Sequence, residues 1–319
     1  YEAGDFDRME LVIRRRLDDP CVPEALKARL RVQLEMAYEI PRAYPYTRAQ
    51  MLDILQKNVS GFAEEELETL RDDGTLDWRY VNGEVRFKNN ALSALLKTRK
   101  EYAMRATDPA VMSGAKASTE QLSAMIAKMK ANGGVRARFE LHEELTVRSD
   151  RLTEGETLRI HLPMPIVGAQ VKRAELLSAS HPVAFLAPED EPQRTIYFEL
   201  PYEPGMTVSA EIAYEIDAPY VQPHAREVYA EQPVFDTEEL PPHVVFTPYL
   251  RALAKEIVGD ETNALLKARK IYDFITTQAV YRFMPPYLTV PNIPEYFLSG
   301  LRGDCGVQAI TFVTLCRLC

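Results

Sequence analysis

The spacing at which apolar residues recur changes twice along this chain, and that limits the folds open to it. Up to about residue 134 the spacing is three to four, the period of helices. Pro23 stands in first-turn position of a segment on which Val22, Leu26, Leu30, Leu34 and Ala37 share one face, and Pro41 and Pro45 are expected to end it. Thr47 offers a cap to a second helix through Met51, Leu52, Ile54 and Leu55, closed by Gly61. A third, Ala63 to Arg71, turns Leu67 and Leu70 inward. Leu76 to Val81 and Glu84 to Phe87 then alternate about Asn82-Gly83, a dipeptide that tolerates the two positive φ angles a tight hairpin needs. Helices over about Asn90 to Ala106 and Glu120 to Met129, the latter stopped at Asn132-Gly133-Gly134, complete the block.

From Val135 to about Tyr220 the period is two. Phe139, Leu141, Leu145, Ile160, Leu162, Ile196, Phe198, Val208 and Ile212 alternate with polar residues in short runs punctuated by Pro and Gly. That pattern predicts a small antiparallel sandwich. An acidic, proline-rich connector over 219–242 leads back to helices. Thr247-Pro248 opens one that runs to Gly259, and Thr262 is expected to cap another through Ile275. A loop with Pro285, Pro286, Pro291 and Pro294 ends in Gly303-Asp304-Cys305-Gly306, and the residues from Val307 to Leu318 describe a helix apolar almost all round, hence one central to its domain. The fold class is α+β in three parts: a helical module with a hairpin over 1–134, a β-sandwich over 135–222, and a helical block over 223–319.

Helix, helix, helix, hairpin is the order of a winged-helix unit, so duplex DNA has to be weighed as a partner. Between Thr47 and Arg99 there are eight basic and nine acidic residues, and Glu64, Glu65, Glu66 and Glu68 crowd the helix that a DNA reader needs basic. The whole chain carries 38 Lys and Arg against 47 Asp and Glu, a net charge of −9. Nucleic acid and anionic membrane surfaces are therefore excluded as partners, and no run of eighteen apolar residues offers a membrane span. With 46% hydrophobic and 27% charged residues, disorder, collagen and coiled-coil classes fall away too. The four cysteines, 21, 305, 316 and 319, are too few and too clustered for a disulfide scaffold. They point to the cytoplasm, although a chain that opens on Tyr1 and not Met leaves secretion open. The last residues are apolar with no Gly, Asn or Pro to close them, so a downstream portion is expected.

Cys305 carries the chemical signal. A cysteine at the first turn of a buried helix meets partial positive charge and unpaired amides, which favour thiolate over thiol and can receive an oxyanion. Asp304 is placed to cap the helix, its carboxylate turned toward a backbone amide and away from the sulfur. The plain alternative is a small residue that starts a helix. Cys316 and Cys319 form Cys-Arg-Leu-Cys, but Cys316 lies ~16 Å along the helix from Cys305, and no second Cys/His pair completes a metal site. Core packing is the expectation for that pair. His142, His161 and His181 are scattered through strands without ligand spacing.

Arg302-Gly303-Asp304-Cys305-Gly306-Val307-Gln308-Ala309, with the apolar helix behind it and Tyr281 ahead, resembles the nucleophile segment of the transglutaminase-like superfamily, which includes papain-like cysteine proteases and many bacterial proteins. His161-Leu162-Pro163-Met164-Pro165 resembles the β domain that precedes the core in bacterial members. The resemblance spans about Val135 to Cys319 and makes 223–319 the helical first half of such a core. It implies Cys305 as nucleophile, Tyr281 as a cleft or oxyanion residue, a peptide or protein substrate, and no cofactor and no metal. It leaves the reaction open among protease, deamidase and transglutaminase, and the oligomeric state open as well. Family members place a His and then an Asp or Asn after the cysteine helix. All five histidines here (142, 161, 181, 224 and 243) precede it, so none inherits the role, and this chain alone is expected to be inactive. The contrasting reading is a binding or scaffold protein that keeps the fold without the chemistry.

Overall fold

Helices occupy both ends of the chain and antiparallel strands its middle, an α+β fold. The computed structural model describes residues 1–148, 151–228 and 232–319. In chain order α1 (Phe6–Asp18) and α2 (Glu24–Ala43) precede β1 (Tyr46–Thr47), α3 (Arg48–Asn58) and α4 (Glu64–Asp72). The hairpin β2 (Trp78–Val81) and β3 (Glu84–Phe87) leads to α5 (Ala91–Thr98), α6 (Lys100–Ala103) and α7 (Pro109–Asn132). Six strands follow: β4 (Gly134–Thr146), β5 (Thr157–Pro163), β6 (Val171–Ala179), β7 (Phe185–Leu186), β8 (Thr195–Pro201) and β9 (Thr207–Pro219). The chain then forms α8 (Pro248–Val258), α9 (Ala264–Gln278), β10 (Val280–Tyr281), α10 (Ile293–Gly300), β11 (Arg302–Gly303) and α11 (Cys305–Leu318). Two compact units result, one of Tyr1–Ala117 with His224–Cys319 and the other of Ser118–Pro223.

The first unit holds three apolar cores. Met51, Leu55, Leu67, Leu70, Leu76, Phe87 and Leu95 bury one another beneath the hairpin. Asn82 (φ 51) and Gly83 (φ 85) both take the left-handed backbone at its tip, and β1 adds to β3, giving the order β1-β3-β2. Phe6, Ile40 and Tyr44 form a second cluster with Val81. The third gathers Leu250, Ile271, Ile275, Ile293, Phe297, Val307 and Leu315 from α8 to α11. The second unit stacks two three-stranded antiparallel sheets, β4-β9-β6 and β5-β8-β7, around Ile160, Leu162, Ile196, Phe198, Val208, Ala210 and Ile212.

Local expectations are corrected in five places. Pro41 lies inside α2, which continues to Ala43; so near the end of a helix the missing proline amide forfeits one bond, while Tyr44 N still donates to Ile40 O at 3.1 Å and Ile40 is fully buried. Asn263, not Thr262, caps α9, its Oδ1 accepting from the amides of Leu265 and Leu266. The segment from 90 to 106 is broken at Arg99, whose extended backbone (φ −120, ψ 96) separates α5 from α6. The helix read over Glu120 to Met129 begins as early as Pro109. In α11 only Val307, Thr311, Thr314 and Leu315 are buried, and Val313 is 45% exposed. The two threonines tolerate burial because each hydroxyl donates back to the carbonyl four residues earlier.

Candidate active site

The site forms where a short parallel ladder hands over to α11. β10 pairs with β11 through Val280↔Arg302 and Tyr281↔Gly303, and the amide of Arg282 donates to Gly303 O at 3.1 Å. Leu301 (φ 48, ψ 40) ends α10 in the left-handed region and turns the chain into this ladder. At Gly303 a Cβ would stand 2.9 Å from Val307 Cγ1 and 3.1 Å from Phe297 Cδ2. The turn thus needs glycine because the core lies against it, with no demand on φ.

Asp304 is the N-cap of α11, its Oδ1 accepting from the Val307 amide at 3.1 Å. The same oxygen accepts from the Tyr287 hydroxyl at 2.7 Å. Cys305 is the first residue of the helix and its side chain is exposed. Tyr281, held opposite Gly303, is half-buried. Burial raises its phenol, and Cys305 and Asp304 add to the rise, with a hydrogen bond to Cys305 as a smaller contribution. Burial also pushes the Tyr287 phenol well above the ordinary range, reinforced by the bond to Asp304 and by the proximity of Cys305 and Tyr281. Tyr281, Tyr287, Asp304 and Cys305 are therefore one cluster. Two neutral phenols flank a capping carboxylate and an exposed thiol.

Tyr287 carries no signal in the sequence reading. It opens the single turn Tyr287–Thr289 behind Pro285-Pro286, a stretch without hydrophobic period. Gly306 accommodates it, since a Cβ there would lie 2.3 Å from the Tyr287 hydroxyl. Tyr287 also lines a cavity of about 800 Å³ with Met36, His243, Leu288 and Val290.

The other singled-out residues have local roles. In the sandwich unit His142 pairs with Glu211 at 2.7 Å, His161 with Thr195 at 3.0 Å and His181 with Ser180 at 2.8 Å. The Cys316 thiol is half-buried and pushed up to about 11, chiefly by burial and further by Cys319. Among the described residues no cluster of three His, Cys, Asp or Glu side chains could hold a metal ion, and no helix is long and apolar enough to cross a membrane.

Residues 251–319, from α8 to the end of α11, match the family model of the transglutaminase-like superfamily. The chain carries a transglutaminase-like core segment. Tyr281, Tyr287, Asp304 and Cys305 all lie inside that segment, whereas the helices and hairpin of residues 1–117 lie outside it. A solved chain from Cytophaga hutchinsonii, described as a candidate cysteine protease, is 16% identical to this one, with a TM-score of 0.38. The likeness covers 58% of this chain and 65% of that one. No curated protein matches the sequence.

Proposed function

We propose that Cys305 is the nucleophile of acyl transfer from a peptide or carboxamide donor, by way of a thioester. One observation carries the reading: an exposed thiol on the first residue of α11, with the Tyr281 phenol against it, inside the transglutaminase-like segment. The sulfur attacks the carbonyl carbon and the carbonyl oxygen becomes an oxyanion. Asp304 occupies the Val307 amide, so the first-turn amides of Cys305 and Gly306 and the Tyr281 hydroxyl are the donors offered to that oxyanion. The C–N bond then breaks, the amine departs with a proton, and water or a second amine resolves the thioester and returns the thiol.

The thiol proton needs an acceptor and the leaving amine a donor. In the family order both roles fall to a histidine that follows the cysteine, oriented by an acid. Protease, deamidase and transglutaminase chemistry share these steps and differ in the donor and in the acceptor that resolves the thioester. The competing scaffold reading keeps the cluster but forms no acyl-enzyme.

An activated ester separates the two, because a nitrophenolate leaving group needs no protonation. Incubation with 4-nitrophenyl acetate, followed by peptide mass analysis, should find acetyl on Cys305 well before the exposed Cys21 and Cys319. Cys305→Ser should lose that adduct and its burst of nitrophenolate. Acetylation of Cys21 and Cys319 with Cys305 untouched would favour the scaffold.

A further inference from the structure

We propose that the N-terminal helical module is a working part of this site: Asp77 and Lys88 are positioning residues that hold the segment from Tyr281 to Met284, and so set the Tyr281 phenol against Cys305. The inference rests on the reading of Cys305 as a reactive thiol with Tyr281 beside it.

Each residue of that segment is gripped by a polar group from the module. Asp77, at the foot of the hairpin, is 7% exposed. Its Oδ2 accepts from the Tyr44 hydroxyl at 2.9 Å and its Oδ1 lies 3.6 Å from Arg282 Nη2. Arg282 also donates from Nη2 to the Tyr296 hydroxyl on α10 at 2.8 Å, while its buried Nε has no partner among the described residues. Lys88, just past β3 and 4% exposed, donates from Nζ to the Met284 carbonyl. Burial pulls its ammonium down and Asp77 opposes that pull. Lys97 on α5 stands over the rings of Tyr281 and Phe283, 5.1 and 5.2 Å from their centroids.

Stability alone explains this arrangement poorly. Burying a carboxylate, a guanidinium and an ammonium at one seam costs desolvation that their mutual attraction scarcely repays, and apolar residues of similar volume would serve as well. What the charges add is direction. Asp77, Lys88 and Lys97 are anchored in the module and meet a segment of four residues at fixed points, and the amide of Arg282 ties that segment to Gly303, two residues before Cys305. The Gly303 carbonyl also accepts from Gln308 Nε2 on α11 at 3.1 Å. A chain of direct contacts therefore runs from Asp77 through Arg282 and Gly303 to the cysteine helix. Reacting groups displaced by an ångström lose much of their effect, so such a chain has something to protect.

The test is the rate at which iodoacetamide alkylates Cys305, read by peptide mass on the full chain, with exposed Cys21 as internal reference. Tyr281→Phe should slow Cys305 by about fivefold, the scale of one net polar contact. Asp77→Asn should slow it by a comparable factor, but leave the rate unchanged in a chain that already carries Tyr281→Phe, since the hydroxyl it positions is gone. Cys21 should not respond in any variant. Tyr296→Phe, which removes the hydroxyl that accepts from Arg282 and little else, should repeat the pattern in milder form and decides the matter if Asp77→Asn does not fold. An unchanged Cys305 rate in the folded variants overturns the inference. So does equal slowing with and without the Tyr281 hydroxyl, because a purely structural defect does not depend on it. Alkylation needs neither a base nor a substrate, so failure of the acylation test and failure here are read separately.

Discussion

Two donors converge on a single oxygen of Asp304, the Val307 amide and the Tyr287 hydroxyl. The raised phenol of Tyr287 stays neutral across the ordinary pH range and acts there as a donor. Asp304→Ala removes an N-cap and should cost ~1 kcal/mol or more in urea denaturation. Tyr287→Phe should cost ~0.5–1 kcal/mol, since the residue is half in solvent, and should cost nothing further in the Asp304→Ala background. Gly306→Ala should mimic Tyr287→Phe, because the new methyl group meets the hydroxyl at 2.3 Å and must displace it. Additive losses for the pair would mean that the two residues do not share a bond. Asp304 and Cys305 were legible in the sequence because a cap and its helix are neighbours, bound by a rule three residues long. Tyr287 was not, since seventeen residues and a proline loop separate it from the oxygen it binds.

The acidic face of α4 shows where element-level reading stops. Glu64, Glu66 and Glu68 suggest a negative surface, yet Arg48 takes Glu64 at 2.8 Å and Glu68 at 2.6 Å. Arg105 takes Glu66 at 2.7 Å, and Glu66 also caps the Ala63 amide at 2.8 Å. The Arg105 bond, with the amide's help, holds the Glu66 carboxyl down at about 2, against an ordinary 4.5. A depressed carboxyl lends stability that is complete above about pH 4.5 and is lost as pH falls toward about 2. Glu66→Gln should therefore melt lower than the parent at neutral pH, with the deficit closing between those two values. A deficit constant with pH would show that the pair contributes shape and no charge. Arg71, the basic residue of α4, is itself taken by Glu68 and Asp72, so no salt-sensitive DNA binding is expected in a fluorescence titration at physiological salt. The hairpin and the cap at Thr247 were readable, as each is a local rule written in adjacent residues. The passage of α2 beyond Pro41 was not, because burial of Ile40 and Ala43 decides it from outside the helix.

At the scale of the molecule, periodicity sorts the chain into blocks but has no means of saying which distant blocks share a unit. Residues 1–117 and 224–319 do so, and the side chains at their seam, Asp77, Lys88 and Arg282, look in sequence like ordinary solvated charges. The sandwich over residues 134–219 is closed at its base: Gly134 pairs with Pro219, and Tyr220 N donates to Gly133 O at 2.9 Å. Its two ends thus lie side by side, and the described residues of its core, from strands and the loops that join them, all belong to this unit. Residues 133–220 expressed alone should melt cooperatively. The chain with 134–219 replaced by a short Gly-Ser link should also melt cooperatively and should keep the Cys305 alkylation rate of the parent. Residues 224–319 alone should not fold, because Arg282 would lose Asp77, the Met284 carbonyl would lose Lys88, and the rings of Tyr281 and Phe283 would lose Lys97. Adding residues 1–117 as a separate chain should restore resistance to protease. A freestanding 224–319 with a sharp thermal transition would show that the transglutaminase-like segment folds without the module's charges.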